Sequence, residues 1–220
     1  MTAPLNQLNL PAAMRLALER CYETPPRAYH NLDHVAEVLG RWREVNSHQG
    51  WRQPLETSLA LVHHDAIYVV AAKDNEARSA ALARAVIARW LPQRGIDAER
   101  VAQLIEWTAL HGQLKPQDVD PEARLVLDCD MAILGSSPKR FTQYCEQIAE
   151  EYREQISADE YKRGRAAFLA GLLSQDRIFL SDFFHQRLDS KARRNLRTAL
   201  AQHGVTSGSA FAATNGQQKP

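Results

Sequence analysis

Apolar residues recur at intervals of three and four positions along most of the chain, a spacing that predicts amphipathic helices. Residues 31–45 show it clearly, because Val35, Val38 and Trp42 fall on one face. Asn31 precedes that face and is a residue type that caps helix N-termini. No segment alternates apolar and polar residues over the length of a strand. The predicted helices span residues 5–21, with a late start at Pro11, and residues 31–45, 54–66, 75–91, 97–111, 121–134, 138–154, 158–174 and 189–203.

Prolines and small polar residues separate the predicted helices and set the domain boundary. Pro25 and Pro26 disfavour helix in the segment 22–30. A chain of 220 residues fits one domain and can bury a core without disulfides or a structural metal. We therefore predict an all-α fold, a single-domain multi-helix bundle over residues 1–203. Residues 204–220 are small and polar and are predicted to form a flexible C-terminal tail.

Charge and cysteine content narrow the class of partner. The chain has 27 basic and 26 acidic residues and a net charge of +1, which does not favour a nucleic acid polymer as partner. Cys21, Cys129 and Cys145 are an odd and widely spaced set that indicates a reducing compartment. Residues 1–14 lack the pattern of a signal peptide, and no apolar run is long enough to span a bilayer. We therefore predict a cytoplasmic protein that binds a small molecule and no membrane.

Ionisable residues interrupt two otherwise apolar segments. In LALVHHDAIYVVAA the only charged or imidazole groups are His63, His64 and Asp65. In LVLDCDMAIL, Asp128 and Asp130 lie in similarly apolar surroundings. A carboxylate buried without a partner would cost several kcal/mol or stay protonated. We therefore expect a positive charge between the two segments, and a divalent cation is the simplest candidate.

Four residues on three predicted helices form the candidate metal site: His34, His64, Asp65 and Asp130. His34 lies one position from the apolar face of its helix and can point to the core. Helical bundles commonly build metal sites from inward-facing side chains. Two imidazoles and two carboxylates favour Mn, Fe, Co, Ni or Zn over Mg or Ca, which prefer oxygen ligands alone. Such an ion would polarise a phosphoryl oxygen and lower the pKa of its bound water.

The order of these residues, His34, then His64-Asp65, then Asp130, resembles the H…HD…D signature of the HD superfamily of metal-dependent phosphohydrolases. The surrounding segments resemble one bacterial subfamily of predicted phosphohydrolases over about residues 15–203. These segments are RAYHNLDHV, HHDAIY, DNEARSA, WTALH, DCDMAILG, EYRE and KRGR. The resemblance implies an all-helical fold, a divalent metal held by the four residues, and hydrolysis of phosphate esters, often of nucleotides.

Two of the histidine assignments have a competing residue nearby. His30 also precedes the HD pair, and we prefer His34 because it is helical and adjacent to the core. His30 then becomes a substrate-side residue or an alternate ligand. His63 competes with His64, but the motif implies that the ligand is the residue directly before Asp65.

The last aspartate and the number of ions involve further alternatives. Asp130 is preferred over Asp128 because the family's last Asp begins a short apolar continuation, here residues 131–134, whereas Asp128 can pair with Arg124 four residues earlier. Several HD proteins hold two metals through extra histidines between the HD pair and the last Asp. This chain offers only His111 in that interval. We therefore predict one divalent ion, and a di-iron redox centre is disfavoured for the same reason.

Further candidate residues surround the predicted site. Glu76 is a catalytic candidate that could orient or deprotonate the attacking water, although a helix N-terminus also favours a negative charge there. His111 could bind substrate or donate a proton to the leaving group, or it could cap the end of its helix. A phosphate group is bound by positively charged side chains as well as by the metal. The predicted substrate-binding residues are therefore Arg27, His30 and Arg165.

The leading hypothesis is a metal-dependent phosphohydrolase that acts on a small phosphorylated metabolite such as a nucleotide. Metal-bound water would attack phosphorus in line, with Asp65 or Asp130 accepting its proton. The alternative is a non-catalytic, metal-containing module that binds or senses a ligand through the same four residues. Phosphate release from a panel of esters would separate the two.

Overall fold

The computed structural model describes residues 4–23 and 27–202, so the predicted tail over 204–220 lies outside it. Within the described residues the fold is all-α, as predicted, with nine α-helices and no strand. The helices are α1 (Ala12–Glu23), α2 (Leu32–His48), α3 (Pro54–His63), α4 (Asn75–Trp90), α5 (Ala98–Thr108), α6 (Pro121–Met131), α7 (Pro138–Tyr152), α8 (Ala158–Ser174) and α9 (Asp182–Gln202). Short 3₁₀ turns lie at Pro4–Gln7, Pro116–Asp118 and Ala132–Gly135.

Capping side chains fix where two of the central helices begin. Asn31 accepts hydrogen bonds from the backbone N–H groups of Asp33 and His34, so it is the N-cap of α2 as predicted. Asp120 caps α6 in the same way, and Pro121 occupies the first helical turn, where its missing N–H costs nothing. These caps set the register in which α2 and α6 present their side chains to the interior.

The last helix begins earlier than predicted, at Asp182 rather than at residue 189. Its added first turns bury Phe183 and Phe184. The hydroxyl of Ser181 accepts a hydrogen bond from the backbone N–H of Phe184, which stabilises the start of the helix. Tertiary packing of two aromatic rings therefore extends α9 beyond its periodic segment.

Three helices meet in the centre of the bundle. Residues 57–63 of α3 and 125–131 of α6 are buried at every position, which explains why their sequences are mainly apolar. The helix α2 packs against both, and α3 packs against α6. The helices that carry His34 and Asp130 and the helix that leads into the HD pair are thus mutual neighbours. Among the described helices, none combines the length and the apolar character that crossing a membrane requires.

Close packing of α9 against the turn after α6 depends on Gly135. A Cβ atom at this position would lie 2.7 Å from the Leu188 Cβ and 3.2 Å from the Leu188 carbonyl oxygen. We expect Gly135→Ala to lower the free energy of unfolding by ~1–3 kcal/mol in urea denaturation, the usual cost of overpacking. Gly164→Ala in α8 is the matched control, because its Cβ would meet no atom within 4 Å. Helix propensity predicts that this control gains up to ~1 kcal/mol, and equal stability of the two variants would contradict the packing.

Candidate metal centre

The HD pair lies where α3 ends. His63 is the last helical residue, His64 is the C-cap, and Asp65 follows directly. Both members of the pair are buried. The carbonyls of Asp65 and Ala66 accept hydrogen bonds from Arg27, from Nη1 at 2.6 Å and from Nη2 at 3.2 Å respectively. The Arg27 guanidinium thus fixes the backbone of the HD turn, as residues 64–66 are called below.

The four predicted metal ligands come together in the interior, and they are called the ligand group below: His34, His64, Asp65 and Asp130. One ligand atom of each lies within 4.8 Å of the others. His34 Nε2 is 3.1 Å from His64 Nε2, 3.4 Å from an Asp65 oxygen and 3.3 Å from an Asp130 oxygen. His64 Nε2 is 2.9 Å from the same oxygen of Asp65 and 3.4 Å from that of Asp130. Residues far apart in sequence therefore present two nitrogens and two oxygens to one point.

These distances fit a common ion. Two atoms bonded to one ion at about 2.1 Å lie about 3.0 Å apart at a right angle and about 3.4 Å apart at the tetrahedral angle. Five of the six separations within the ligand group run from 2.9 to 3.4 Å. Asp65 Oδ2 is buried and has no hydrogen bond of acceptable geometry with any described residue, despite its short contact with His64. A buried carboxylate oxygen left in this way could be satisfied by a cation, so the ligand group could hold a metal ion.

Backbone carbonyls separate the roles of the two adjacent histidines. His64 Nδ1 lies 2.8 Å from the Leu61 carbonyl oxygen, to which it donates, so Nε2 is the nitrogen that faces the ligand group and would bind an ion in place of its proton. His63 uses Nδ1 in the same way toward Leu59 but is not part of the ligand group. Burial lowers the pKa of His63 to about 4, so it is a neutral core residue. The preference for His64 over His63 agrees with this arrangement.

The carboxylate of Asp130 is held from behind by His111. Asp130 Oδ2 lies 2.8 Å from His111 Nε2, while Oδ1 faces the imidazoles of the ligand group. The helix α5 ends at Thr108 rather than at residue 111, so His111 lies in the following turn, where Gly112 adopts a φ of 76°. Outer partners of this kind orient metal ligands. Proton donation from His111 to a leaving group stays a prediction.

Charges within the ligand group shift its pKa values strongly. Burial lowers the pKa of His64, but Asp65 and Asp130 outweigh that effect and raise it to about 10. Burial raises the pKa of Asp65, but His64, His30 and His34 together outweigh burial and hold this pKa well below its usual range. The carboxylates therefore favour positive charge at this point, and protons and a metal ion would compete for the same lone pairs.

The second aspartate of the DCD segment, Asp128, has a separate structural role. Its carboxylate accepts hydrogen bonds from the backbone N–H of Leu180 at 2.8 Å and from the N–H and hydroxyl of Ser181 at 2.7 and 2.6 Å. The predicted pairing with Arg124 is wrong, because the Arg124 Nε donates to the Val119 carbonyl. Burial raises the pKa of Asp128 to about 7. The side chain thus joins α6 to the segment before α9 and does not belong to the ligand group.

The segment DNEARSA supports the site in a way that was not predicted. Glu76 lies half-buried in the first turn of α4 and is not part of the ligand group, so its catalytic role stays a prediction. The side chain of Asn75 instead bonds both the N–H and the carbonyl of Val69. Ser79 does the same for Ile67. These two polar side chains hold the loop that follows the HD turn.

Both arginines predicted to bind substrate have partners inside the protein. Arg27 donates to four backbone carbonyls, including those of Asp65 and Ala66. Arg165 is buried, and its Nη1 donates to the Tyr144 hydroxyl at 3.1 Å. These contacts give both residues structural roles, because a phosphate would have to compete with existing acceptors or reach a buried guanidinium. Substrate binding by either stays a prediction.

The alternate ligand His30 lies beside the ligand group but outside it. Its Nδ1 is 2.5 Å from Glu151, its ring stacks on Tyr68 at 4.0 Å, and its centroid is 5.8 Å from that of His34. Glu151, in the EYRE segment, was not among the predicted site residues. It follows Tyr144 by seven positions on α7, which is the helical spacing that could have indicated a shared buried face.

Comparison of the chain with protein-family models, curated proteins and solved structures finds no match. The resemblance to the HD superfamily therefore stays a prediction based on the order of the motifs. Any functional assignment depends on the residues and geometry of the ligand group and its surroundings.

Proposed function

We propose that the protein is a metal-dependent phosphohydrolase of the HD type that acts on a small phosphate ester such as a nucleotide. The observation that supports this most is the buried convergence of the ligand group, whose residues occur in the order typical of that superfamily. The mixed nitrogen and oxygen donors favour one Mn, Fe, Co, Ni or Zn ion over Mg or Ca. When bound, such an ion supplies Lewis-acid polarisation of a phosphoryl oxygen and a more acidic water.

The two carboxylates of the ligand group have different capacities to accept a proton. The second oxygen of Asp130 is already engaged by His111 at 2.8 Å. Asp65 has no such outer histidine among the described hydrogen bonds, and its contacts with both imidazoles of the ligand group are made through Oδ2, which leaves Oδ1 as its second oxygen. We therefore assign Asp65 as the group that accepts the proton of the attacking water.

Departure of the leaving group needs a proton donor outside the ligand group. The Nε2 atom of His111 is engaged by Asp130, whereas His30 uses Nδ1 for Glu151 and has Nε2 as the ring nitrogen that can exchange a proton. The carboxylate of Glu151 also accepts from the backbone N–H groups of Tyr29 and His30, which fixes the pair. We assign proton donation to His30 and its positioning to Glu151.

Phosphate release from a panel of esters tests this function. The panel contains nucleoside mono-, di- and triphosphates and sugar phosphates, each with Mn, Fe, Co, Ni or Zn. We expect at least one ester to be hydrolysed in a metal-dependent manner and expect His64→Ala to abolish that turnover. Metal binding without hydrolysis of any ester would contradict the proposal and favour the non-catalytic ligand-binding module.

A further inference from the structure

An open cleft of about 340 Å³ lies directly beside the ligand group. Two of the predicted metal ligands, His34 and Asp130, form part of its wall, so the cleft leads to the atoms where an ion would be held. Its volume is within the range of small-molecule sites, about 300–1,000 Å³. Two cationic side chains also line it, Arg41 from α2 and Arg140 from α7. None of the residues predicted from the sequence to bind substrate is among those lining this cleft.

A buried hydroxyl in the cleft wall lacks a hydrogen-bond partner among the described residues. Tyr29 lines the cleft and is 4% exposed, and its Oη makes no hydrogen bond within the part of the chain that the structure describes. Its ring packs against His34, with the centroids 4.9 Å apart. A buried polar atom without a partner is unfavourable unless a ligand or water satisfies it. The Tyr29 hydroxyl thus indicates that a polar group binds here, next to the ligand group.

Neighbouring side chains orient Arg140 but do not accept hydrogen bonds from all of its N–H groups. Its Nε and Nη2 donate to Glu37 at 2.6 and 2.9 Å, and its Nη1 donates to Gln147 at 3.2 Å. A guanidinium has five N–H donors, so these bonds leave two for an anion. The guanidinium carbon lies 5.9 Å from the centre of the Tyr29 ring. The paired carboxylate of Glu37 therefore holds Arg140 beside the Tyr29 ring.

The cleft also contains a glycine where α2 would otherwise favour a side chain. Gly40 lines the cleft in the middle of the helix, a position at which glycine is unfavourable. A Cβ atom there would approach only the Arg43 side chain, at 3.9 Å. The space is thus free of protein atoms and available to a ligand.

We propose that this cleft is the substrate subsite of the phosphohydrolase, in which Tyr29 Oη and Arg140 bind oxygens of the phosphate. The rest of the ester lies over Gly40. The proposal rests on the proposed function, because it places the phosphate beside the ligand group. It assigns phosphate binding to two residues other than Arg27 and Arg165. It also defines the substrate as an anionic ester small enough for a cleft of about 340 Å³.

Binding of inorganic phosphate to the Mn-loaded protein tests the two polar contacts. We expect Tyr29→Phe and Arg140→Ala each to weaken phosphate binding about tenfold or more, since each removes a hydrogen bond to a charged group. Metal content should not change. Tyr29→Phe should also keep the wild-type melting temperature, because its hydroxyl has no partner among the described residues; a structural hydroxyl would lower it. Arg153→Ala, on an exposed arginine just after α7, is the matched control.

Substitution of Gly40 tests the position of the rest of the ester with p-nitrophenyl phosphate as substrate. Gly40→Leu should raise the KM about tenfold or more by filling the cleft, whereas inorganic phosphate, which lacks that group, should still bind. Unchanged phosphate binding in both Tyr29→Phe and Arg140→Ala, or an unchanged KM in Gly40→Leu, would overturn the subsite while leaving the proposed function intact. A metal-loaded wild-type protein that binds no phosphate and hydrolyses no ester would overturn both.

Discussion

Replacement of Asp65 by alanine is expected to abolish hydrolysis of phosphate esters while the helical content stays close to that of the wild type. Its Oδ2 lies within 3.4 Å of both imidazoles of the ligand group, so the variant loses a proposed metal ligand and the assigned proton acceptor. Activity should fall by more than about 100-fold, because loss of even an outer partner of a metal ligand costs about 10–100-fold. The helix α3 ends before Asp65, so the substitution breaks no helix. The rate of phosphate release measures the loss of activity, and circular dichroism measures the helical content.

Asp74→Ala is the matched control for Asp65→Ala. The Asp74 side chain is 65% exposed and is 4.0 Å from its only described ionic partner, Arg78. It occupies the N-cap position of α4 but makes no capping hydrogen bond. We expect wild-type turnover from this variant. An Asp65→Ala protein that hydrolyses the same ester at the wild-type rate would contradict the assigned role of Asp65.

Replacement of Asp128 by alanine is expected to destabilise the fold severely. The variant would leave the part-buried backbone N–H of Leu180 and the buried N–H and hydroxyl of Ser181 without their acceptor. At ~1–3 kcal/mol for each unsatisfied group, the free energy of unfolding should fall by ~3 kcal/mol or more. Urea denaturation of the purified protein measures this change.

Asp182→Ala provides the comparison for Asp128→Ala. Its side chain is 79% exposed and pairs with Arg177 at the surface, so the substitution should cost less than ~1 kcal/mol. Wild-type stability of Asp128→Ala would show that other acceptors replace the carboxylate. Together with Asp65→Ala, this pair separates an aspartate assigned to chemistry from one that joins α6 to α9.

Local signals explain why most helices could be predicted from the sequence. The helix α8 has the predicted bounds, 158–174, because Ser157 and Glu160 form a capping box at its start. Asn31 likewise caps α2 as predicted. The early start of α9 could not be predicted in this way, since it depends on burial of Phe183 and Phe184 against distant parts of the chain.

The ligand group could be predicted from the sequence because its ionisable residues lie in segments that are otherwise apolar. Carboxylates within apolar helices needed a compensating charge, and the structure brings Asp65 and Asp130 together with two imidazoles. The partners of Arg27 were not predictable, because the carbonyls it binds become available only where α3 ends. Arg41 had a signal, its seven-residue spacing from His34 on one helix face, but Arg140 reaches the cleft only through tertiary packing of α7.

Metal content of the purified chain tests the central claim most directly. Each of three proteins is equilibrated with Mn, Fe, Co, Ni or Zn and freed of loosely bound ions: the wild type, Asp74→Ala and Asp65→Ala. Elemental mass spectrometry then gives the number of ions per chain. We expect close to one ion per chain in the wild type and in Asp74→Ala, and almost none in Asp65→Ala. A folded wild-type protein that retains none of these metals, or an Asp65→Ala protein that retains as much as the wild type, would contradict a metal centre at the ligand group.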